Sequence, residues 1–274
     1  MPTVRRHLLL SIFVAATFVA CSDDTGITDP LPTVPPVALL QDIVIPNLPS
    51  PYYHFEYDAA YRVRIASFAS DARRYEATWQ GERITKLTNT VGTRDTLTYL
   101  YNDAGRVGGI NVVDANGNVS ATVTFTYDAG QLARLERKVK LDGTFVTDKT
   151  MTFAYYTDGN VKDIVEHRPA ITGHQDEATT TDHFDQYDTN INVDGFSLIH
   201  DEFNDHLILL PDVQLQKGNP AREVFTGDAP NYTVSYTWTY DGKRRPLTKT
   251  GDVEFTSGPQ KGEHFQTQST FSYY

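Results

Sequence analysis

The stretch from Tyr101 to Leu132 constrains this chain more than any other, because one structural unit both opens and closes within it. Tyr101, Asp103, Gly105 and Val107 form an aromatic, acidic, glycine and apolar series, and Tyr127, Asp128, Gly130 and Leu132 repeat it. Between them Val119, Ala121, Val123, Phe125 and Tyr127 alternate with Ser120, Thr122, Thr124 and Thr126. A period of two sends successive side chains to opposite faces, the pattern of a half-buried β-strand. The unit is strand, tight turn, strand.

That unit recurs. Aromatic anchors at Tyr57, Trp79, Tyr101, Tyr127 and Tyr155 stand 22, 22, 26 and 28 residues apart, and apolar pairs such as Ile84 and Leu87 or Val161 and Ile164 follow them. A period in the twenties marks one supersecondary unit repeated. Asn116-Gly117, Asp142-Gly143 and Asp158-Gly159 offer the positive-φ residues that hairpin turns need. A later unit, Val234 to Gly242, carries Tyr236, Trp238 and Tyr240 on one parity, and the chain ends on Phe265, Thr267, Ser269, Phe271 and Tyr273 in alternation. Trp79 and Trp238 fall on core-facing parities, so packing rather than sugar stacking is expected of both.

The series Tyr101-Asn102-Asp103-Ala104-Gly105-Arg106-Val107 resembles the YD repeats of RHS-type bacterial surface proteins. More closely, residues 53–274 resemble a family of Gram-negative lipoproteins, built on a domain of unknown function with a porin-like β fold and degenerate YD units. Leu207–Leu210, Lys217-Gly218-Asn219-Pro220 and Tyr240-Asp241-Gly242 with Pro246-Leu247 extend the likeness. It implies a fold and a location, and carries no catalytic residue with it. The fold expected is all-β, an antiparallel meander of hairpin repeats curled into a barrel-like or open roll.

Which face meets water is also legible. The face opposite the apolar one is rich in Thr and includes Lys138, Lys140, Lys162 and Glu166. At the C-terminus Gln266, Gln268, Thr270 and Ser272 occupy the register in which membrane barrels place apolar residues. A sheet with water outside is expected, rather than a bilayer-spanning barrel.

The N-terminus reads as an address. Arg5 and Arg6 precede LLLSIFVAATFVA, and the only Cys follows in Phe18-Val19-Ala20-Cys21. A short basic region, a short apolar run and small residues describe a secretory signal, and the Cys makes it resemble a lipobox. Residues 1–20 are expected to be removed, with acyl chains on Cys21 fixing the protein to a membrane. Ser22 resembles the outer-membrane sorting class, and Asp23-Asp24 the acidic signal of surface-exposed lipoproteins. Residues 21–52, rich in proline, read as a tether, within which Leu39–Ile45 is apolar enough to join the body as an edge strand. Residues 53–274 form one domain. Losing Arg5 and Arg6 takes the formal net charge from −11 to −13, a balance that disfavours nucleic acid as a partner.

Between His167 and Pro220 the repeat lapses. Phe196, Ile199, Phe203, Leu207 and Leu210 fall at helical steps, so a helix over 194–210 is expected to cover an end or edge, with Asp194 as N-cap. His200 and His206, six apart, make a poor zinc pair. Asp188, Asn190, Asn192, Asp194 and Asp201 echo the ligand spacing of an EF-hand loop, although Asn stands first and Asp last. A polar turn is the preferred reading and calcium the alternative.

No phosphate loop, zinc-protease helix, nucleophile elbow or cysteine site is present. The expectation is a non-catalytic outer-membrane lipoprotein without cofactor, binding a glycan or protein partner. The alternatives are a lipid-anchored polysaccharide hydrolase and a calcium-dependent adhesion module. Function is expected where the repeat breaks, around Asp188–Asn219, rather than in the repeat itself.

Overall fold

The computed structural model describes residues 38–200 and 206–274. Cys21, the leader and most of the tether lie outside them, as does Asp201. The strands are β1 (Leu40–Val44), β2 (Tyr53–Tyr57), β3 (Val63–Phe68), β4 (Arg73–Gln80), β5 (Arg83–Asn89), β6 (Thr96–Tyr101), β7 (Val107–Val113) and β8 (Val119–Asp128). They continue as β9 (Gln131–Leu141), β10 (Thr144–Tyr155), β11 (Val161–Arg168), β12 (Ala178–Tyr187), β13 (Pro220–Gly227), β14 (Tyr232–Tyr240), β15 (Pro246–Phe255) and β16 (His264–Tyr273). Each pairs antiparallel with the next, and β1 pairs with β16, Ile43 facing Phe271, so the sheet closes into a barrel. The wall therefore begins at Leu40, inside the stretch assigned above to the tether.

In such a meander the turns after even strands gather at one end, here called the anchor end. Every even strand reaches it with an aromatic side chain that donates to a backbone carbonyl near the start of the preceding strand. Tyr57 Oη donates to Leu40 O (2.9 Å), Trp79 Nε1 to Val63 O (2.8 Å), Tyr101 to Ile84 O (3.0 Å) and Tyr127 to Val107 O (2.8 Å). Tyr155 donates to Leu132 O (2.8 Å), Tyr187 to Val161 O (2.7 Å), Trp238 Nε1 to Pro220 O (2.9 Å) and Tyr273 to Pro246 O (2.7 Å). The turns beside them are closed by acidic or amide side chains. Asp58 Oδ1 accepts from the N–H of Ala60 and Arg62, and Asp241 Oδ1 from those of Lys243 and Arg245, the local bonding that suits Asp to turns. Arg62, Arg83, Arg106 and Arg245 then lie over the rings of Trp79, Tyr101, Tyr127 and Tyr273, at 4.3–5.5 Å from the centroids.

At this end the register slips by one residue beside Tyr57, Trp79, Tyr101, Tyr127, Tyr155 and Tyr240. Each slip is a β-bulge in the following strand, a device that raises local twist at barrel rims. Beyond it the inward parity changes, so inward apolar residues stand three apart: Ile84 and Leu87, Val107 and Ile110, Leu132 and Leu135, Val161 and Ile164. In β11 the extra residue is Lys162, and Glu166, opposite buried Met151, points into the barrel. The assignment of Glu166 to the outer face is corrected by that bulge.

The lapse of the repeat is also shorter than 167–220. β12 is a full strand whose inward positions include Asp182 between Ile164 and Phe225, so no apolar alternation advertises it. What remains is the stretch between β12 and β13; its described residues, 188–200 and 206–219, run into the lumen, where Ile199, Leu207, Ile208 and Leu215 are buried in the core. Three inward tyrosines of neighbouring even strands hold it. Tyr53 Oη lies 2.9 Å from His200 Nδ1, Tyr75 Oη 3.0 Å from His206 Nδ1, and Tyr99 Oη accepts from Leu209 N at 3.2 Å. The expected helix over 194–210 is not formed. Among the described residues the segment has one five-residue 3-10 turn, Gly195–Ile199, and Asp194 makes no side-chain cap. A segment enclosed by a barrel is apolar on several sides, Leu207 and Ile208 being buried in succession, and some of its backbone N–H groups bond to the wall, Leu209 to Tyr99 and Lys217 and Gly218 to Asn160. Gly218 is required here, because a Cβ would stand 2.2 Å from Asp188 O.

Candidate functional site

The outer wall is polar and knit by ion pairs. His54 Nδ1 is 2.7 Å from Asp42, Arg134 2.9 Å from Glu136, Lys138 3.2 Å from Glu136, His183 Nδ1 2.6 Å from Asp163, and Arg222 3.0 Å from Asp185. Further chemistry gathers inside.

The inner wall of β9–β13 carries a band of charge. Arg137 clasps Asp148 through Nε (3.0 Å) and Nη2 (2.6 Å). Lys149, almost fully buried, lies 3.9 Å from Glu166, whose other oxygen takes Arg168 Nε at 2.5 Å. Asp182 and Glu223 follow on β12 and β13. Burial, with Glu223 and Glu166 beside it, pushes the Asp182 carboxyl up to about 7. Glu223 accepts from Tyr236 Oη at 2.5 Å, and burial next to that carboxylate keeps the Tyr236 hydroxyl protonated. Two cavities flank the band. One, about 590 Å³, runs from Ser120 and His174 past Arg137 and Lys149 to Ile199 and Ile208 of the inserted segment. The other, about 550 Å³, is walled by β13–β16, with Glu223 and Tyr236 beside Phe225, Tyr232, Phe255 and Phe265.

The residues singled out for calcium are placed otherwise. Asp188 Oδ1 accepts from the N–H of Asn190 (3.0 Å) and Asn219 (2.9 Å), and Oδ2 from Asn190 Nδ2 (3.0 Å) and the Tyr240 hydroxyl. Asn190 Oδ1 accepts from Arg244 Nε, Asn192 Oδ1 from Asp194 N, and Asp194 is buried 4.0 Å from Lys249. Four of the five thus lie in one stretch, where the oxygens of Asp188, Asn190 and Asn192 serve the fold of 188–219 and the Asp194 carboxylate faces Lys249. Among the described residues no three His, Cys, Asp or Glu side chains group as a metal site. Trp79 and Trp238 act as anchors through their indole N–H groups, and Trp238 packs against Phe271 at 6.1 Å.

Neither the charge band nor the aromatic chamber was legible as a site. Arg137 and Asp148 carry no apolar signal and Asp182 falls where the repeat lapses, so only the cross-strand register shows that Arg137 and Asp182 turn inward. The signal available was aromatic: Phe225, Tyr232, Phe255 and Phe265 fall on inward parities close to polar turns.

A closed sixteen-strand antiparallel barrel, polar outside and largely filled within, is the class that these observations define. No protein-family model matches the sequence, and no curated protein matches it. Solved structures do. A porin-like protein from Bacteroides uniformis superposes with a TM-score of 0.56 at 15% identity, over 81% of this chain and 89% of that one. A porin-like protein from Bacteroides vulgatus gives 0.57 at 11% identity, over 86% and 99%. The porin-like barrel implied by the resemblance is thereby found; at such identities the likeness is one of fold.

Proposed function

We propose that this chain is a lipid-anchored barrel of the outer membrane that stands in water, binds a ligand in its lumen and catalyses nothing. The outer wall carries this reading. Arg134 and Lys138 of β9 and Arg222 of β13 project outward, and facing lipid such residues would each cost about 2–4 kcal/mol at mid-bilayer. A lumen occupied by 188–219 argues for binding over conduction, and Cys21 after Phe18-Val19-Ala20 supplies the attachment. The test is fractionation of cells making the full chain or its Cys21→Ser variant. Wild type is expected in the membrane fraction and the variant in the soluble fraction without detergent. A variant that stays in the membrane through carbonate washing would defeat the reading.

One observation favours a second reading, the polysaccharide hydrolase. A carboxyl held near neutrality beside other carboxylates, as Asp182 is beside Glu223 and Glu166, is the pairing that acid–base cleavage of glycosides uses. Release of reducing ends from a glycan by the full chain, lost in Asp182→Asn, would establish it; no release from either would remove it.

A further inference from the structure

Towards the end opposite the anchors, the inward face of β13–β16 is left bare. Phe225 stacks on Tyr232 at 4.7 Å, Tyr232 meets Phe255 edge-on at 6.3 Å, and Phe255 meets Phe265 at 5.9 Å. None of these four rings belongs to the core that the 188–219 segment completes. They line the 550 Å³ cavity, whose rim is formed by Pro230 and Gln260 of the turns at that end. Gly251 keeps the wall flat, since a Cβ there would come within 2.7 Å of Thr267 and 3.1 Å of the Tyr236 ring.

Polar character enters this cavity mainly through one carboxylate, Glu223, and no Lys, Arg or His is among its lining residues. Glu223 is faced from β12 by Asp182, which Glu166 of β11 also approaches, and from β14 by Tyr232 and Tyr236. Lys149 and Arg168 pair with Glu166, and Lys249 lies against the Tyr236 ring at 4.6 Å and near Asp194. An acidic group half-buried among rings favours a counter-charge or a proton. Ring faces attract cations as well, and the volume suits a small organic molecule. An anion would meet Glu223, with Asp182 behind it, and a sugar would find few groups to bond along the aromatic wall.

We propose that this chamber binds an organic cation with an apolar or aromatic body, its charge on Glu223 and its body on the Phe225–Tyr232–Phe255–Phe265 wall. The proposal rests on the reading of the barrel as a binding module and names the class of its ligand. Asp182, half protonated near neutrality, supplies the competitor: an entering cation displaces that proton, so acid weakens binding.

The experiment is titration of the purified full chain with naphthylmethylammonium, against naphthylmethanol and naphthoate, by calorimetry and tryptophan fluorescence. The ammonium is expected to bind about tenfold more tightly than the alcohol, naphthoate not at all, with proton release near neutrality and about tenfold weaker binding at about pH 5. Glu223→Gln should erase the preference for the cation while naphthylmethanol still binds, the sign that the chamber is intact. Phe265→Ala, a change at a half-exposed ring, should weaken both the ammonium and the alcohol. Equal affinity for ammonium and alcohol, no binding of either, or a preference surviving Glu223→Gln would overturn the proposal. An ammonium that binds as described but is chemically altered would support the site and count against the non-catalytic reading alone.

Discussion

Asp182 shows how a single side chain can set the pH behaviour of the lumen. Its folded pKa, about 7 through burial and the neighbouring Glu223 and Glu166, lies above that of the unfolded chain. The native state therefore holds the proton more tightly, and this contribution to stability is complete below the ordinary carboxylate range and lost as pH rises through 7. Asp182→Asn is expected to raise the melting temperature at about pH 8, by up to about 4 kcal/mol in stability, and to change little at about pH 4. Thermal melts across that range test it, and an equal effect at both ends would refute it. Asp95 works in the other direction. Burial opposes its charge, but hydrogen bonds from His206, Thr93 and Asn89 outweigh that and hold its carboxyl well below the usual range. Its contribution is present above that range and lost on acidification. Because His206 also meets Tyr75, Asp95→Asn should loosen the inserted segment first, seen as faster hydrogen exchange near Leu207–Leu209 while the wall stays protected.

Among the elements, the anchors and bulges repeat together, and they explain what the sequence disclosed. Five anchors were legible from spacing alone because Tyr57 to Tyr155 keep a short period. Tyr187, Trp238 and Tyr273 do the same work, but the insertion at 188–219 and the polar inward face of β12 break the count. The bulge at Lys162 flips parity, which is why Glu166 read as outward although it shares the inner face with Ile164. The helix expected at 194–210 failed for a different reason: periodicity cannot tell a face laid on a sheet from a strand of chain enclosed by one. Deleting one anchor hydroxyl removes one half-buried hydrogen bond, so Tyr57→Phe and Tyr155→Phe should each cost about 1 kcal/mol. Their positions on well-separated strands make the double variant additive within about 0.5 kcal/mol, as denaturant titration would show.

For the molecule as a whole, the closure of β1 on β16 removes both sheet edges. Ile43, buried against Phe271 and Tyr53, is the residue on which that closure turns. Ile43→Asp should detach β1 and expose the edges of β2 and β16, which then pair between molecules; size-exclusion chromatography should report oligomers where the parent is monodisperse. With Asp188 and Asn190 already satisfied by protein donors, added Ca²⁺ should leave the melting temperature unchanged. A rise would restore the adhesion alternative.

The ring of anchors also has a consequence in time. Each bond joins residues only 16–27 positions apart, so a growing chain can complete every hairpin soon after its second strand appears. The seam is different, for Asp42 and Ser272 are 230 positions apart. Contacts so distant in the chain form slowly. Strand β1 thus waits for β16, one flank unpaired throughout, and loss of the last residues of β16 strands an otherwise finished wall.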